Sequence, residues 1–290
     1  MKWSTRKPSG RIAYVDGRYL PHGQAGVHIE DRGLQFGDSV YEVWRLSGGR
    51  PRDLEEHLDR LERSLGEIQI PMPMPRAALK QVMVEVVRRN AITEGILYLQ
   101  ITRGSARRDH PIPEPILKPS VVLTVRRLDI AALEKRLREG VRVITAPDQR
   151  WARCDIKSTQ LLANLLAKTD ARRTGAYEVW FTDPNGFVTE GASTTAWIVD
   201  KEGRLITRDL SHAILPGVTR QILLEIAEKA QIPVLERPFT QAEVRAAREA
   251  FVTAASAAAI PVVAINDVPI GEGMPGPVTL RLQGLYAAHG

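Results

Sequence analysis

The apolar and polar positions alternate with two different periods, and the two kinds of segment are grouped along the chain rather than regularly interleaved. Arg11–Val15 reads as a short strand turned by Asp16-Gly17 into Tyr19-Leu20, and Asp38–Leu46 as another strand ending at Gly48-Gly49. Leu54, Leu58, Leu61, Leu65 and Ile68 then fall at helical spacing, and Pro71 closes that helix. Ala77–Arg89 predicts a second amphipathic helix. Apolar strands at Ile96–Thr102 and Ser120–Arg126 flank a loop rich in proline and charge, Arg103–Pro119. A boundary is expected near Arg126–Asp129. Beyond it come a polar helix at Ala131–Glu139, an apolar one at Leu161–Ala167, and strands at Val141–Ala146, Tyr177–Thr182, Phe187–Val188, Thr195–Val199 and Arg204–Thr207. Helices follow from Thr219 to Ala230 and from Thr240, where Thr240 and Glu243 make a capping-box pattern. Phe251–Ala255 and Ile260–Ile265 are late strands, and a helix ends the chain. Strands in runs with a few helices predict an α+β fold in each half, with a small domain over residues 1–126 and a larger one over 127–290.

Composition narrows the class. Of 290 residues, 43% are apolar and 26% charged, which supplies a sizeable core and excludes a disordered or low-complexity chain. No apolar run reaches the roughly 18 residues of a membrane span. Met1–Pro8 lacks the apolar stretch of a secretory signal. The single cysteine, Cys154, rules out an internal disulfide. A cytoplasmic protein without a membrane partner is expected. The net charge of +6 raises nucleic acid as a partner, yet 34 acidic residues are interleaved with the 40 basic ones. The densest basic cluster, Arg103–Arg108, sits in one loop and suits a small anion better than a duplex, so no nucleic-acid partner is expected.

Candidate chemistry is sparse, which makes elimination useful. Gly271–Gly276 fits a dinucleotide-type glycine pattern, but it lies too near the C-terminus for a following βαβ unit. The six histidines show no metal-binding spacing, so no metal site is expected. Ser193 does not sit in a nucleophile elbow. Three segments remain. Lys157 precedes an apolar helix; it reads either as a surface lysine or as an amine held against apolar surface, able to attack carbonyls. Glu190 ends a short strand, as a solvated turn residue or as a placed carboxylate. Leu215–Arg220 opens a helix with glycine, a hydroxyl and free N–H groups, as phosphate sites do and as many ordinary helices do.

Taken together with the segments Glu30–Asp38, Val40-Tyr41-Glu42, Glu56–Leu61, Thr102-Arg103-Gly104, Arg153–Ser158 and Thr189-Glu190-Gly191, these motifs resemble the class IV (fold type IV) pyridoxal-phosphate aminotransferases. Within that family the sequence is most similar to the D-amino-acid transaminases, and the match runs from Arg11 to about Val263. The resemblance implies a two-domain fold with a barrel-like larger domain and a pyridoxal 5′-phosphate site between the domains. It implies that Lys157 bonds to the cofactor and moves the substrate proton, and that Glu190 faces the pyridine nitrogen. It makes Arg60, Val218 and Thr219 phosphate ligands, and Leu215 a support for the back of the ring. Tyr41 resembles a tyrosine near the substrate carboxylate. Arg108 and His110 match an Arg-x-His pair that clamps that carboxylate from a neighbouring subunit of a homodimer.

Four positions depart from the family pattern. Ala255 stands where a threonine offers its hydroxyl to the phosphate, Thr195 replaces an asparagine, Trp197 replaces Phe or Tyr, and Arg107 replaces a proline. The activity implied is transfer of an amino group from a D-amino acid, of the D-alanine or D-glutamate type, to 2-oxoglutarate or pyruvate. A branched-chain L-amino-acid transaminase, which Arg45 would support, is the nearest alternative. An aminodeoxychorismate lyase and a basic binding protein without catalysis are further ones.

Overall fold

The computed structural model describes Gly10–His289; Met1–Pro8, the segment read as lacking a secretory signal, lies outside the described residues. The chain forms two compact units. One comprises residues up to Leu128 together with Ile156–Gln160, and the other Asp129–Asp155 and the chain from Leu161 onward. The short segment around Lys157 thus packs with the first unit although it is flanked by the second.

In the first unit, β1 (Ile12–Val15) and β2 (Arg18–Pro21) form a hairpin, and a five-residue helix, α1 (Arg32–Phe36), follows. The long strand β3 (Ser39–Ser47) carries alternating buried positions, and β4 (Arg50–Pro51) folds back on its end. Helices α2 (Leu54–Glu67) and α3 (Arg76–Asn90) precede β5 (Gly95–Thr102) and β6 (Ser120–Arg127). The six strands make one sheet in the order β2-β1-β6-β5-β3-β4, with β3, β5 and β6 antiparallel neighbours. One face of that sheet buries Trp44, Leu97, Leu99 and Leu123 against Leu58, Leu61 and Leu65 of α2 and Leu79, Met83 and Val86 of α3. Each such side chain contributes roughly 1.5–3 kcal/mol by leaving water.

The second unit begins with α4 (Ile130–Glu139) and β7 (Val141–Pro147), then α5 (Leu162–Arg173), β8 (Glu178–Thr182), β9 (Val188–Gly191), β10 (Thr195–Val199) and β11 (Leu205–Thr207). It continues through α6 (Val218–Lys229), β12 (Val234–Glu236), α7 (Gln241–Ala246), β13 (Glu249–Ala254), β14 (Ala257–Ile265), β15 (Val268–Pro269) and α8 (Pro277–Ala288). Its sheet runs β12-β11-β10-β13-β14-β7-β8-β9, with β15 beside β14. A tight turn, closed by the Gly191 N–H on the Thr194 carbonyl at 2.7 Å, leads β9 back to β10. The six strands from β10 to β9 therefore curl into a barrel-like sheet. Strand β10 is buried along its whole length, which explains why its sequence reads as an apolar run rather than an alternation, whereas β9, equally buried, encloses the polar Thr189 and Glu190. Trp197 stacks on Phe251 at 5.4 Å between ring centroids, over the α6 residues Ile222, Leu223 and Ile226. Among the described residues no helix is long and apolar enough to cross a membrane.

Candidate active site

The first unit builds the surroundings of the candidate nucleophile. The Lys157 segment adds to the edge of β3: Tyr41 N–H donates to the Lys157 carbonyl at 3.0 Å, Thr159 N–H to the Ser39 carbonyl at 3.2 Å, and Lys157 N–H to Ser64 Oγ at 3.3 Å. The backbone of Lys157 is therefore fixed on both sides, and its side chain is half-buried. Nζ sits 4.3 Å from the centroid of the Tyr41 ring. Among the described residues no carboxylate pairs with it, so the amine meets an aromatic face instead of a counter-ion. Tyr41 in turn stacks on Tyr98 at 5.7 Å, and the Tyr98 hydroxyl donates to Gln100 at 2.9 Å. Burial, with Tyr41 adding to it, pushes the Tyr98 hydroxyl up to about 12, which keeps it a donor.

Beside that segment, α2 presents a polar stripe at helical spacing, His57, Arg60 and Ser64, within an otherwise apolar face. Arg60 bonds edge-on to Glu42 of β3, Nε to Oε1 at 2.7 Å and a terminal nitrogen to Oε2 at 2.9 Å, and His57 Nδ1 lies 2.8 Å from the same carboxylate. Burial alone would raise the Glu42 pKa, but the Arg60 charge and the hydrogen bonds from His57 and Arg60 outweigh it and hold the group well below the carboxylate range. Burial lowers His57 despite Glu42, favouring a neutral ring. Arg60 is thus a fixed cation whose plane is set from β3, a geometry suited to an anion.

The second unit holds the candidate carboxylate and anion cup. Glu190 is buried in β9 and pairs with Arg150, while its Oε2 accepts the Leu215 N–H at 3.1 Å. Arg150 is itself braced by Asp148 at 2.7 and 2.9 Å, by the Ala213 carbonyl at 3.0 Å and by the face of Phe181 at 4.8 Å. Thr189 Oγ1 donates to Asp148 at 2.7 Å. Burial would raise Asp148, but the Arg150 bonds and charge prevail and lower it. The short strand that carries Glu190 is therefore tied to the turn that carries Leu215 and opens α6. That helix starts at Gly217 without a side-chain cap. A Cβ at Gly217 would come 3.0 Å from Thr195 Oγ1, so a larger residue there would press on the β10 side chain. Thr219 Oγ1 is buried and, among the described residues, has no hydrogen-bond partner. An uncapped helix start with an orphaned hydroxyl fits a ligand with several acceptor oxygens, such as a phosphate.

Two other expected features complete the set. Ala255 occupies the half-buried turn between β13 and β14, where its methyl offers no donor. Arg108 and His110 are exposed on the loop between β5 and β6 and both face Phe36, at 5.1 Å and 5.7 Å from its ring centroid. Tyr41, Lys157, Arg60, Arg108 and His110 belong to the first unit; Glu190, Leu215, Val218, Thr219 and Ala255 belong to the second. Sequence reading passes over Arg150, Asp148 and His57 and gives Glu42 no role. The spacing of His57 to Arg60 and Ser64 was a visible signal; the partners of Arg150 were not.

The family described as "Amino-transferase class IV" matches residues 39–265, which span this whole set except Phe36. The chain belongs to the class IV aminotransferases. A D-alanine aminotransferase of Bacillus licheniformis is 40% identical to it over 268 residues, covering 92% of this chain and 93% of that protein. One from Staphylococcus haemolyticus is 37% identical over 270 residues, covering 93% and 94%. The branched-chain amino acid aminotransferase of Escherichia coli superposes with a TM-score of 0.88 at 25% identity, over 97% of this chain and 95% of that one. The branched-chain aminotransferase of Thermoproteus uzoniensis, solved with norvaline, gives 0.81 at 28% identity over 96% and 93%. A class IV aminotransferase has the two-domain α+β fold described above and works with pyridoxal 5′-phosphate, and a further branched-chain amino acid aminotransferase that superposes at 0.87 was solved with pyridoxamine 5′-phosphate.

Proposed function

We propose that this chain is a pyridoxal 5′-phosphate-dependent D-amino-acid transaminase, moving the amino group of a D-amino acid of the D-alanine or D-glutamate type to 2-oxoglutarate or pyruvate. The observation that carries this reading is the Lys157 amine held over Tyr41 without a counter-ion, in a chain 40% identical to a D-alanine aminotransferase over most of its length. When bound, the cofactor supplies an aldehyde for the amine and an electron sink for the carbanion. Lys157 would be the residue that holds the cofactor through its aldehyde carbon, and its Nζ would carry the proton to and from the substrate Cα. Glu190, fixed by Arg150 and the Leu215 N–H, holds a proton at the pyridine nitrogen. Thr219 Oγ1, the Val218 N–H and Arg60 bind the phosphate, and Leu215 supports the ring. Ala255 leaves one phosphate oxygen without the hydroxyl usual in the family. Tyr41, Arg108 and His110 hold the substrate carboxylate.

The active species is a homodimer with shared sites, located in the cytoplasm. Support for a subunit interface comes from exposed apolar side chains: Leu162, Leu165 and Leu166 along one stripe of α5, and Ile29, Leu34 and Ile116 around the Arg108 loop. The branched-chain L-alternative leans on Arg45, which lies 3.5 Å from Glu94. Two measurements test the reading. Lys157→Ala should lose both the visible absorption that borohydride removes in the wild type and multiple turnover. Initial rates should be higher with D-alanine or D-glutamate than with L-glutamate or L-valine. Retained borohydride-sensitive absorption in the variant would remove the lysine assignment, and faster turnover of L-substrates would remove the stereochemical one.

A further inference from the structure

We infer that Arg32 is the positioning residue of the carboxylate clamp, fixing the main chain from which Arg108 and His110 project. The inference deepens the reading above and rests on its assignment of those two residues. Arg32 is buried at 4% exposure although it lies in the short helix α1 next to an exposed loop. Its Nε donates to Asp38 Oδ2 at 2.8 Å, and its two terminal nitrogens donate to the carbonyls of Asp109 at 2.7 Å and His110 at 3.2 Å. Across Arg107–Pro119, and among the described residues, these are the only hydrogen bonds made from outside that segment. The base of the loop is tied down separately, Ala106 N–H donating to the Glu30 carbonyl at 3.3 Å, so one guanidinium supplies the hydrogen bonds that hold the outer part carrying Arg108 and His110.

The rest of the arrangement makes that hold rigid. Gly37, left-handed at φ 67°, ends α1 and turns Asp38 back toward Arg32. Asp38 is shared with Arg103, which binds it at 2.7 and 2.9 Å and anchors to the carbonyls of Ile68 and Gln69. Phe36 packs under the Arg32 guanidinium at 4.7 Å and offers its ring to Arg108 and His110. A planar fork spanning a carboxylate and two carbonyls is a task for arginine, because a lysine ammonium has one point of charge and cannot reach all three. Displacing the loop by about 1 Å would spoil two-point recognition of a carboxylate while leaving the proton-transfer groups untouched.

The test uses the cofactor-loaded enzyme and Arg32→Lys, with Arg108→Ala as reference. Arg32→Lys should raise KM for the D-amino acid and for the 2-oxo acid together by about tenfold, with kcat changed less than about threefold and an unaltered visible spectrum. Tryptic cleavage after Arg107 or Arg108 should become faster, by about tenfold, because the segment opens more often. Phe36→Leu, which keeps apolar bulk and removes only the ring, should raise both KM values and leave kcat in place; it serves if Arg32→Lys does not fold. Normal KM values and normal tryptic rates in both variants, with Arg108→Ala raising KM, would overturn the inference and leave the clamp standing. A loss confined to kcat would show a merely structural role and overturn it too. An unchanged KM in Arg108→Ala would remove the clamp assignment itself, and the inference with it.

Discussion

Thr219 carries an opposite expectation for the empty and the loaded protein. Its hydroxyl is buried and unpartnered, and a buried donor left unsatisfied costs about 1–3 kcal/mol. Thr219→Val keeps the shape and removes that cost, so the cofactor-free protein should unfold at equal or higher denaturant. If the hydroxyl binds phosphate, the same change should weaken cofactor binding by about 1.5–3 kcal/mol, or roughly 10- to 150-fold, measured by equilibrium dialysis. A variant that binds cofactor as tightly as wild type would show that Thr219 only packs. Such a residue was legible because its motif is local: Leu215–Arg220 holds glycine, hydroxyl and helix start in sequence order. Lys157 and Glu190 also stand in short local segments, but their proposed roles come from the resemblance and not from those segments alone. Their electrostatic partners were not legible, because Arg150 meets Glu190 across 40 positions and Arg32 meets the Asp109 carbonyl across 77. Pairings at such distances are set by the fold, and no periodicity announces them.

At the scale of elements, the contact of α2 with β3 is fastened by the buried Glu42, Arg60 and His57. Removing one charge of such a group strands the other, at a cost of about 3–5 kcal/mol, so Glu42→Gln should be strongly destabilising in urea at pH 7. The pH dependence follows from the directions of the shifts. Glu42 lies below its unfolded value near 4.3 and His57 below its own near 6.5. Both therefore stabilise the fold fully above those unfolded values, and both contributions are lost as pH falls through the folded ones. Wild-type stability should decline from about pH 6.5 downward, with a flatter decline below about pH 4.5 in Glu42→Gln. Equal slopes in the two proteins would show that the carboxylate is not the linked group. The long elements around this contact were legible from spacing, since α2 and α3 each bury a regular stripe. Two of the short ones escaped it. Helix α1 has five residues, too few for a period, and its start is marked only by Asp31, which accepts from the Gly33 and Leu34 N–H groups. Strand β12 has three residues and pairs in parallel with β11, so its identity comes from its neighbour.

The whole molecule poses a question of assembly. Its surplus of six positive charges is spread thinly, and many arginines are spent on carboxylates: Arg76 alone meets Glu55, Asp59 and Glu62. Exposed leucines on α5 and isoleucines near the Arg108 loop are surface that water disfavours, and the proposed dimer would be expected to cover it. If that loop serves the site of a neighbour, the lysine and the clamp of each site come from different chains. Arg108→Ala and Lys157→Ala subunits, each inactive at low substrate, should then complement one another. Random pairing of equal amounts makes about half of the dimers mixed, and each mixed dimer has one site with both its lysine and its arginine intact. About one quarter of the wild-type activity should return once subunits have exchanged. The returning sites should have the wild-type KM, since a restored site lacks nothing. Exchange itself is checked separately with differently tagged chains. Full exchange without recovered activity would place the clamp and the lysine of one site on the same chain.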